Sequence, residues 1–199
     1  MKILITGIAG FIAFNFAKEL CKNKNLKIVG VDNFSDYYSV KLKKKIFHNL
    51  KKFKNFKFIK TDLTEKKKIF QIFKSNKFSE VYNFAAQAGV RYSMENPTIY
   101  VDTNVCGFSN LISASQKFKV KKFYYASSSS IYGDNNKFPL NEKEKVNPKN
   151  MYGLTKKFNE EIAQNFYEMH KFKSIGLRFF TVFGEWGRPD MFILKLLNS

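Results

Sequence analysis

The stretch "KILITGIAGFIAFNFAKELC" at residues 2–21 decides the fold. The largely apolar and partly β-branched residues 2–6 predict a buried strand, and the apolar residues at helical spacing that follow predict a helix over 11–22. Gly7 and Gly10 lie between the two, where a strand-to-helix turn can bring backbone N–H groups close to a phosphate. The third small position of the pattern is Ala13. Because that position governs how closely the helix packs on the sheet, we expect a change in packing there and not the loss of a ligand.

Strand-like and helix-like segments alternate along the rest of the chain. The predicted strands are 27–32, 56–62, 80–86, 121–129 and 174–182, and the predicted helices are about 38–52, 65–75, 97–117 and 152–170. The strands are apolar without regular polar alternation, which indicates burial on both faces of a parallel sheet. Right-handed crossovers through the helices then predict an α/β fold with a doubly wound parallel sheet of the Rossmann type.

The charge of the chain does not by itself indicate a nucleic-acid partner. The 199 residues carry 35 Lys and Arg against 16 Asp and Glu, but nearly all the excess is lysine spread along the sequence. No RNA-binding or DNA-binding motif accompanies it, so solvated lysine faces are favoured over a nucleic-acid groove. A hydrophobic content of 44% indicates a globular protein.

The cysteines and the apolar segments exclude further classes. Cys21 and Cys106 have neither metal-ligand spacing nor a disulfide pattern, so we expect no metal site and a reducing, cytoplasmic location. The first residues lead directly into a strand without a signal-peptide pattern, and no apolar run reaches the length of a membrane span. We therefore expect no membrane association.

Carboxylates at strand ends indicate a dinucleotide site beside the glycine turn. Asp32 ends the second strand about 20 residues beyond that turn, where a carboxylate can accept a hydrogen bond from a ribose 2′-hydroxyl. The same charge repels a 2′-phosphate, which favours NAD over NADP. Asp62 ends the third strand, within reach of an adenine amino group, and the small residues of "NFAAQAG" (83–89) allow close approach of the cofactor.

A second constellation indicates proton chemistry. In "YGLTK", Tyr152 and Lys156 stand at i and i+4 on one predicted helix, so their side chains share a face. A nearby ammonium and a bound nicotinamide would lower the pKa of the tyrosine enough to make it a base. This spacing is common by chance. Together with the serine run "ASSSSIYG" at 126–133 and the glycine turn, it becomes specific.

Six motifs carry a family resemblance over essentially the whole chain: "TGIAGFI", "VDNFSDYY", "AAQAGVRYSMENP", "YASSSSIYG", "MYGLTKK" and "LRFFTVFGEWGRPDM". They resemble the extended short-chain dehydrogenases/reductases of the NAD-dependent epimerase/dehydratase family, and most closely the UDP-glucuronate 4-epimerases. The resemblance implies bound NAD, a UDP-glucuronate substrate and interconversion with UDP-galacturonate through a 4-keto sugar. It also implies a homodimer formed through the helices at about 97–117 and 152–170.

The resemblance assigns roles by position. Ser128 would hydrogen-bond the sugar 4-hydroxyl, with Ser129 as an alternative for that role, Tyr152 would be the base, and Lys156 would activate Tyr152 and hold the nicotinamide ribose. The expected cofactor-binding residues are Gly7, Gly10, Phe11, Ile12, Asp32, Asn33, Asp62, Leu63, Phe84, Ala85, Ala86, Gln87, Asn104, Tyr152, Lys156 and Phe180. The expected substrate contacts are Arg91, Ser128, Ser129, Tyr152, Thr181 and Arg188.

Neighbouring activities can be weighed on the same motifs. Sugar 4,6-dehydratases that resemble this family carry an Asp–Glu pair after the catalytic hydroxyl, where this chain has Ser129 and Ser130, so dehydration is disfavoured. Decarboxylation is the closer rival, because oxidation of UDP-glucuronate at C4 gives a β-keto acid. Arg188 and Arg91 fall in ligand-facing motifs and can clamp a carboxylate, while Arg178 lies within a predicted strand and is expected to be structural.

The resemblance leaves three alternatives open: a UDP-glucuronate decarboxylase, a 4-epimerase of the UDP-glucose/UDP-galactose type, and a non-catalytic NAD-binding fragment. The last arises because the family has a C-terminal lobe over the nucleotide-sugar that is largely absent from these 199 residues. We accordingly expect an NAD-binding domain over 1–182 and the start of a truncated substrate lobe over 183–199.

Overall fold

A computed structural model describes residues 1–135 and 138–191, which form a six-stranded, fully parallel sheet with helices on both faces. The strands are β1 (Lys2–Thr6), β2 (Lys27–Asp32), β3 (Phe56–Lys60), β4 (Glu80–Asn83), β5 (Lys122–Ser128) and β6 (Ser174–Phe179), in the order β3-β2-β1-β4-β5-β6. The order reverses between β1 and β4. A crevice opens outside the strand ends at such a reversal, and it is the usual binding site of this architecture.

Seven α-helices, one π-helix and one 3-10 helix connect the strands in the described part of the chain. They are α1 (Phe11–Cys21), α2 (Val40–Leu50), α3 (Lys66–Ser75), α4 (Val90–Glu95), α5 (Pro97–Tyr100), a π-helix (Val101–Gly107), α6 (Phe108–Lys117), a 3-10 helix (Ser129–Tyr132) and α7 (Met151–His170). None of them is both long and apolar enough to cross a membrane.

Two hydrophobic cores cover the sheet, and β1 shows why. Its side chains alternate between the faces, so Ile3 and Ile5 pack with Phe14 of α1 and Ile46 of α2. Leu4 points to the opposite face and packs with the core formed by α3, α6 and α7. A strand buried on both faces has no room for polar alternation, which explains the apolar run in its sequence.

Strand ends depart from the predicted bounds at the edge that faces the crevice. The predicted strand 80–86 ends at Asn83, and the predicted strand 174–182 ends at Phe179. Beyond Asn83 the chain leaves the ladder, because the Ala85 N–H donates to the Thr6 side-chain oxygen at 3.2 Å. The residues past these strand ends therefore form loops that can approach a ligand.

The predicted helix at 97–117 is confirmed in its bounds but is not uniformly α-helical, because α5, the π-helix and α6 follow one another without a break from Pro97 to Lys117. The short helix α4, which precedes it, was not predicted. Pro97 occupies the first turn of α5, since proline lacks an N–H to continue α4. The wider π-helical turn carries Asn104, whose side chain makes three hydrogen bonds to Gln87 and Thr155. Such widened turns occur frequently at functional sites.

The last described segment folds back over α1. Trp186 packs against Phe14 with 6.0 Å between ring centroids, and the Asn15 side chain donates to the Glu185 carbonyl at 2.9 Å. The predicted boundary between the NAD-binding domain and the substrate lobe, at 182/183, lies in the chain that follows β6. Residues 192–199 of the expected lobe lie outside the described residues.

Candidate active site

A cavity of about 550 Å³ lies at the carboxyl ends of the strands. It brings together most of the residues expected to contact cofactor or substrate: Gly7, Gly10, Phe11, Ile12, Asp32, Asn33, Asp62, Leu63, Phe84, Ala85, Ala86, Gln87, Ser128, Ser129, Tyr152, Lys156, Phe180, Thr181 and Arg188. These residues are up to 181 positions apart in sequence, and the strand order β3-β2-β1-β4-β5-β6 gathers them at one edge.

The glycine turn has two glycines with different reasons for lacking a side chain. Gly7 has φ +71, and a Cβ there would lie 2.8 Å from the Ala85 backbone nitrogen, so both the conformation and the space require glycine. A Cβ on Gly10 would meet only the Gly7 carbonyl at 3.0 Å and the Tyr38 hydroxyl at 4.0 Å. Gly10 therefore keeps the cavity open at the first turn of α1, where helix N–H groups are unpaired.

Ala13 belongs to the packing of α1 as well as to the cavity wall. Its side chain is 1% exposed and sits in the core beneath α1 and α2. The missing third glycine of the pattern thus corresponds to a methyl group in a helix–sheet contact.

Asp32 is fixed by the backbone on both sides. Its Oδ2 accepts from the Ala9 N–H at 3.0 Å and its Oδ1 from the Phe34 N–H at 2.7 Å. Burial raises the pKa of Asp32, while those two amides and the charge of Lys43 act to lower it. The carboxylate is thereby tied to the glycine turn, which sets its position relative to anything bound there.

Asp62 is held in the ionised form by its neighbours. Its Oδ1 accepts from the Thr64 N–H at 2.9 Å and the Thr64 hydroxyl at 2.7 Å, and Asn33 donates to Oδ2. Burial opposes ionisation, but these hydrogen bonds prevail and lower the pKa of Asp62.

The predicted catalytic residues are brought together by the junction between β5 and α7. Ser128 ends β5 and its hydroxyl accepts from the Ser130 N–H at 3.2 Å. Asn150 caps α7 by accepting from the Gly153 N–H at 2.8 Å, which fixes where the helix begins. A Cβ on Gly153 would lie 2.6 Å from the Ser130 carbonyl, so the first turn of α7 sits directly on the segment after Ser128.

Tyr152 and Lys156 share one face of α7 as predicted. The Lys156 ammonium lies 5.8 Å from the centre of the Tyr152 ring and donates to the Ala126 carbonyl at 2.7 Å. Lys156 is 2% exposed, and its burial lowers the pKa of the ammonium to about 8. This side chain therefore connects the helix to the end of β5.

The electrostatics of Tyr152 differ from the expectation that Lys156 would lower its pKa. Burial raises the pKa of Tyr152, and the opposing influences are a hydrogen bond with Ser128 and the charge of Arg188. Burial lowers the pKa of Lys156 itself, and the charge of Lys156 is not among the influences that lower the pKa of Tyr152. In the chain alone, the activating groups of the tyrosine are thus the serine and an arginine from the segment after β6.

Two expected site residues lie away from the cavity. Arg91 is exposed on α4 and does not line the cavity in the described structure. Asn104 is 2% exposed and lies behind the wall, where its amide ties the Gln87 backbone to Thr155 of α7. Asn104 therefore links the loop after β4 to α7 and does not line the cavity.

Arg178 is structural, as its position in a strand indicated. Its Nε and Nη2 donate to both carboxylate oxygens of Glu160 at 3.0 and 2.8 Å, and its Nη1 donates to the Tyr132 hydroxyl at 3.0 Å. Ser127 donates to the same carboxylate at 2.6 Å. This network joins β6, α7 and the end of β5.

Two charged residues at or beside the cavity, Lys43 and Asp190, are not among the predicted site residues. Lys43 is 6% exposed and its ammonium donates to the Ser35 carbonyl and hydroxyl at 2.7 and 2.9 Å. Its place on the buried face of α2, with Ile46 and Leu50, was a readable signal. Asp190 binds Arg188 through two hydrogen bonds of 3.0 Å, a pairing that no periodicity indicated.

Comparison with known proteins supports this architecture. The family model described as GDP-mannose 4,6 dehydratase matches residues 4–198. Protein CapI of Staphylococcus aureus is 44% identical over 100% of this chain and 59% of its own length. UDP-glucuronate 4-epimerase 4 of Arabidopsis thaliana is 41% identical over 95% of this chain and 43% of its own length. The crystal structure of UDP-glucuronic acid 4-epimerase from Bacillus cereus in complex with UDP-glucuronic acid and NAD superposes with a TM-score of 0.93 at 32% identity, covering 99% of this chain and 62% of that one.

The chain thus spans about 60% of the length of CapI and of the Bacillus cereus epimerase. The match extends through both halves of the cavity, from the glycine turn to the residues after β6. On the strength of the family model, the chain belongs to the GDP-mannose 4,6-dehydratase family, a branch of the extended short-chain dehydrogenases/reductases that includes the NAD-dependent epimerases.

Proposed function

We propose that this chain provides the cofactor-binding and catalytic half of an NAD-dependent UDP-glucuronate 4-epimerase. The observation that carries the proposal is the meeting of Ser128, Tyr152 and Lys156 in the same cavity as the glycine turn. The relatives named as UDP-glucuronate 4-epimerases and the solved epimerase with UDP-glucuronic acid and NAD support the substrate and the cofactor.

The cavity wall fits NAD on grounds of space and chemistry. Gly7 permits the close contact between the turn and Ala85, and Gly10 leaves open the space in front of the first turn of α1, where a pyrophosphate would bind. Asp32 would accept from the adenosine ribose, and Asp62 lies further along the same wall. A bound NAD would take up hydride from the sugar and return it, so that it is not consumed.

The side chains of the catalytic half can move the proton that accompanies this chemistry. Tyr152 would take the proton of the sugar 4-hydroxyl, and Ser128 would hold both that hydroxyl and the tyrosine. Because burial raises the pKa of Tyr152, the base needs the Ser128 hydrogen bond and the Arg188 charge, and a cationic nicotinamide would add to them. Lys156, bound to the Ala126 carbonyl, would orient the cofactor ribose.

The choice between epimerisation and decarboxylation depends on the sugar carboxylate. Arg188 and Thr181 line the cavity near the catalytic residues, and a guanidinium can grip a carboxylate through two hydrogen bonds. A carboxylate held in this way stays out of the geometry in which a β-keto acid loses CO2. Arg91 is exposed on α4 and is therefore the weaker of the two predicted clamps.

The experiment is an assay of the 199-residue chain, and of the reading frame that encodes it, with UDP-glucuronate and NAD. We expect UDP-galacturonate without accumulation of NADH. Product from the longer form alone would make the 199 residues an incomplete enzyme, while a UDP-pentose with CO2 would replace the epimerase by a decarboxylase.

We also propose a homodimer that pairs through the helices predicted for it. Large apolar side chains are exposed there, with Val101 on the π-helix 41% exposed, and Leu154 and Phe158 on α7 47% and 50% exposed. Such a patch on a folded chain favours association. Sedimentation should show a dimer that Phe158→Lys converts to a monomer, whereas Lys157→Glu beside it should leave the dimer intact. A monomeric wild type would refute the pairing.

A further inference from the structure

Arg188 has a carboxylate partner supplied by its own chain. Its Nε donates to Asp190 Oδ1 and its Nη2 to Asp190 Oδ2, both at 3.0 Å. The Met191 N–H donates to the Arg188 carbonyl at 3.1 Å, which closes the backbone turn around the pair. Both side chains are only partly exposed, at 25% and 33%.

Tyr37, which also lines the cavity, contacts both members of this pair. Its hydroxyl donates to Asp190 Oδ2 at 3.1 Å, and the guanidinium carbon of Arg188 lies 5.9 Å from the centre of its ring. Gly89 makes room for the tyrosine, since a Cβ there would collide with the Tyr37 hydroxyl. Asp190 is therefore itself held in place by a residue 153 positions away in the chain.

The pairing uses only one edge of the guanidinium. Arginine has five N–H donors, and the side-on edge formed by Nε and Nη2 is taken by Asp190. The end-on edge, formed by Nη1 and the second hydrogen of Nη2, makes no hydrogen bond to the residues that the structure describes. That edge is a fork of the correct width for a second carboxylate.

Arg188 also lies where its charge matters to the reaction. It lines the cavity with Ser128 and Tyr152, and its charge lowers the pKa of Tyr152. A guanidinium free to rotate would spread this charge over many rotamers and would lose conformational entropy when a ligand fixes it. A guanidinium already fixed by Asp190 avoids that cost.

We propose that Asp190, supported by Tyr37, is a positioning residue that holds Arg188 with its end-on edge toward the ligand, and that it thereby sets the preference of the site for a sugar carboxylate over an uncharged sugar. The inference rests on the proposed function. It differs from simple neutralisation, in which Asp190 would compete with the ligand for Arg188 and weaken the same preference.

The test compares dissociation constants for UDP-glucuronate and UDP-glucose, both with NAD present, in the complete reading frame. Asp190→Asn keeps the shape of the side chain but removes the second strong acceptor. We expect it to weaken UDP-glucuronate binding by about five- to tenfold, the loss typical of a weakened charged hydrogen bond, and to leave UDP-glucose and NAD within about twofold. Tyr37→Phe should act in the same direction with a smaller effect.

A double-mutant cycle separates positioning from a structural role. In an Arg188→Gln background, Asp190→Asn should add nothing, because its effect acts through the arginine. Glu185→Gln is the matched control, since it removes a carboxylate of the same segment whose partner is the exposed Lys18. It should change neither affinity.

Each other outcome counts against the inference. An equal loss of affinity for both UDP-sugars would assign Asp190 a structural role. A further loss of UDP-glucuronate affinity when Asp190→Asn is added to Arg188→Gln would do the same. Tighter UDP-glucuronate binding in Asp190→Asn would show that the residue competes with the ligand. A wild type that binds both UDP-sugars equally would overturn the positioning account and leave an epimerase, whereas a wild type that binds neither would overturn the proposed function as well.

Discussion

At the glycine turn the wall of the cavity is backbone, whereas across the cavity it is a set of titratable side chains. Gly7 and Gly10 offer space and helix N–H groups, and Asp32 is held there by two backbone amides. Opposite them, Tyr152 and Lys156 are shielded from water, and burial moves their pKa values in opposite directions, up for the tyrosine and down for the lysine.

The glycine-turn half and the Tyr152–Lys156 half of the cavity therefore contribute different properties. At the glycine turn the cofactor half depends on shape, so glycine variants there should alter binding without a pH dependence. The catalytic half depends on the protonation of buried groups and on the network that holds them, so its variants should alter stability and pH dependence.

Gly10→Val should remove measurable NAD binding while the chain stays folded. The added side chain meets little protein beyond the Gly7 carbonyl, but it fills the space in front of the first turn of α1. Ala13→Gly is the matched control and should bind NAD nearly as well as the wild type, because Ala13 mainly packs in the core. Calorimetric titration with NAD decides, and equal effects of the two changes would break the account of the turn.

Glu160→Gln should lower the free energy of unfolding by about 3 kcal/mol, the cost of leaving a largely buried charge without its partner. The amide can no longer accept from both Arg178 nitrogens and from Ser127. Urea denaturation measures the change. The neighbouring and exposed Glu161→Gln should cost little, so similar losses in both variants would contradict a specific role of the network.

Lys156→Met should stabilise the chain at pH 7 while it removes the catalytic lysine. The buried ammonium has a pKa of about 8, against 10.5 in the unfolded chain, which corresponds to about 3 kcal/mol of destabilisation below pH 8. Loss of the hydrogen bond to Ala126 offsets about 1 kcal/mol of the gain.

The sign of this effect follows from proton linkage. Between about pH 8 and 10.5 the unfolded chain binds the Lys156 proton and the folded chain does not, so wild-type stability rises with pH through that range. The advantage of Lys156→Met should therefore be largest below pH 8 and shrink toward pH 10.5. Urea midpoints across that range test this, with Lys157→Met as control; an advantage that grows with pH would contradict the burial argument.

Asp32→Asn should weaken NAD binding by about tenfold and narrow the preference for NAD over NADP, since the amide no longer repels a 2′-phosphate. Asp36→Asn, on the exposed loop that follows β2, should leave both affinities unchanged. A loss of NAD affinity that does not vary with pH would fit a role of Asp32 in shape and hydrogen bonding. An unchanged NADP affinity would contradict the assignment of Asp32 to the ribose.

Local sequence was enough where local patterns decide the structure. The bounds of β1 and β2 agree with the predicted strands 2–6 and 27–32, because both are apolar runs closed by a glycine or an aspartate. The predicted helix at 97–117 has the observed bounds, but periodicity does not reveal its π-helical turn or the separate helix α4 that ends before Pro97.

The site shows the same limit. Spacing indicates Gly7, Tyr152 and Lys156 and the resemblance adds Ser128, and the sheet order brings all four into one cavity. The bond between Tyr37 and Asp190 joins residues 153 positions apart, and only the tertiary structure brings them together.

The central claim is that this cavity epimerises a UDP-uronate at C4 by moving one hydrogen out and back, with Tyr152 as the base. The most direct measurement follows UDP-glucuronate carrying deuterium at C4 through turnover by the complete reading frame, with Tyr152→Phe in parallel. We expect the wild type to give UDP-galacturonate that retains the deuterium at C4, and Tyr152→Phe to give no product. Product with hydrogen from solvent at C4, or CO2 with a UDP-pentose, would contradict this claim.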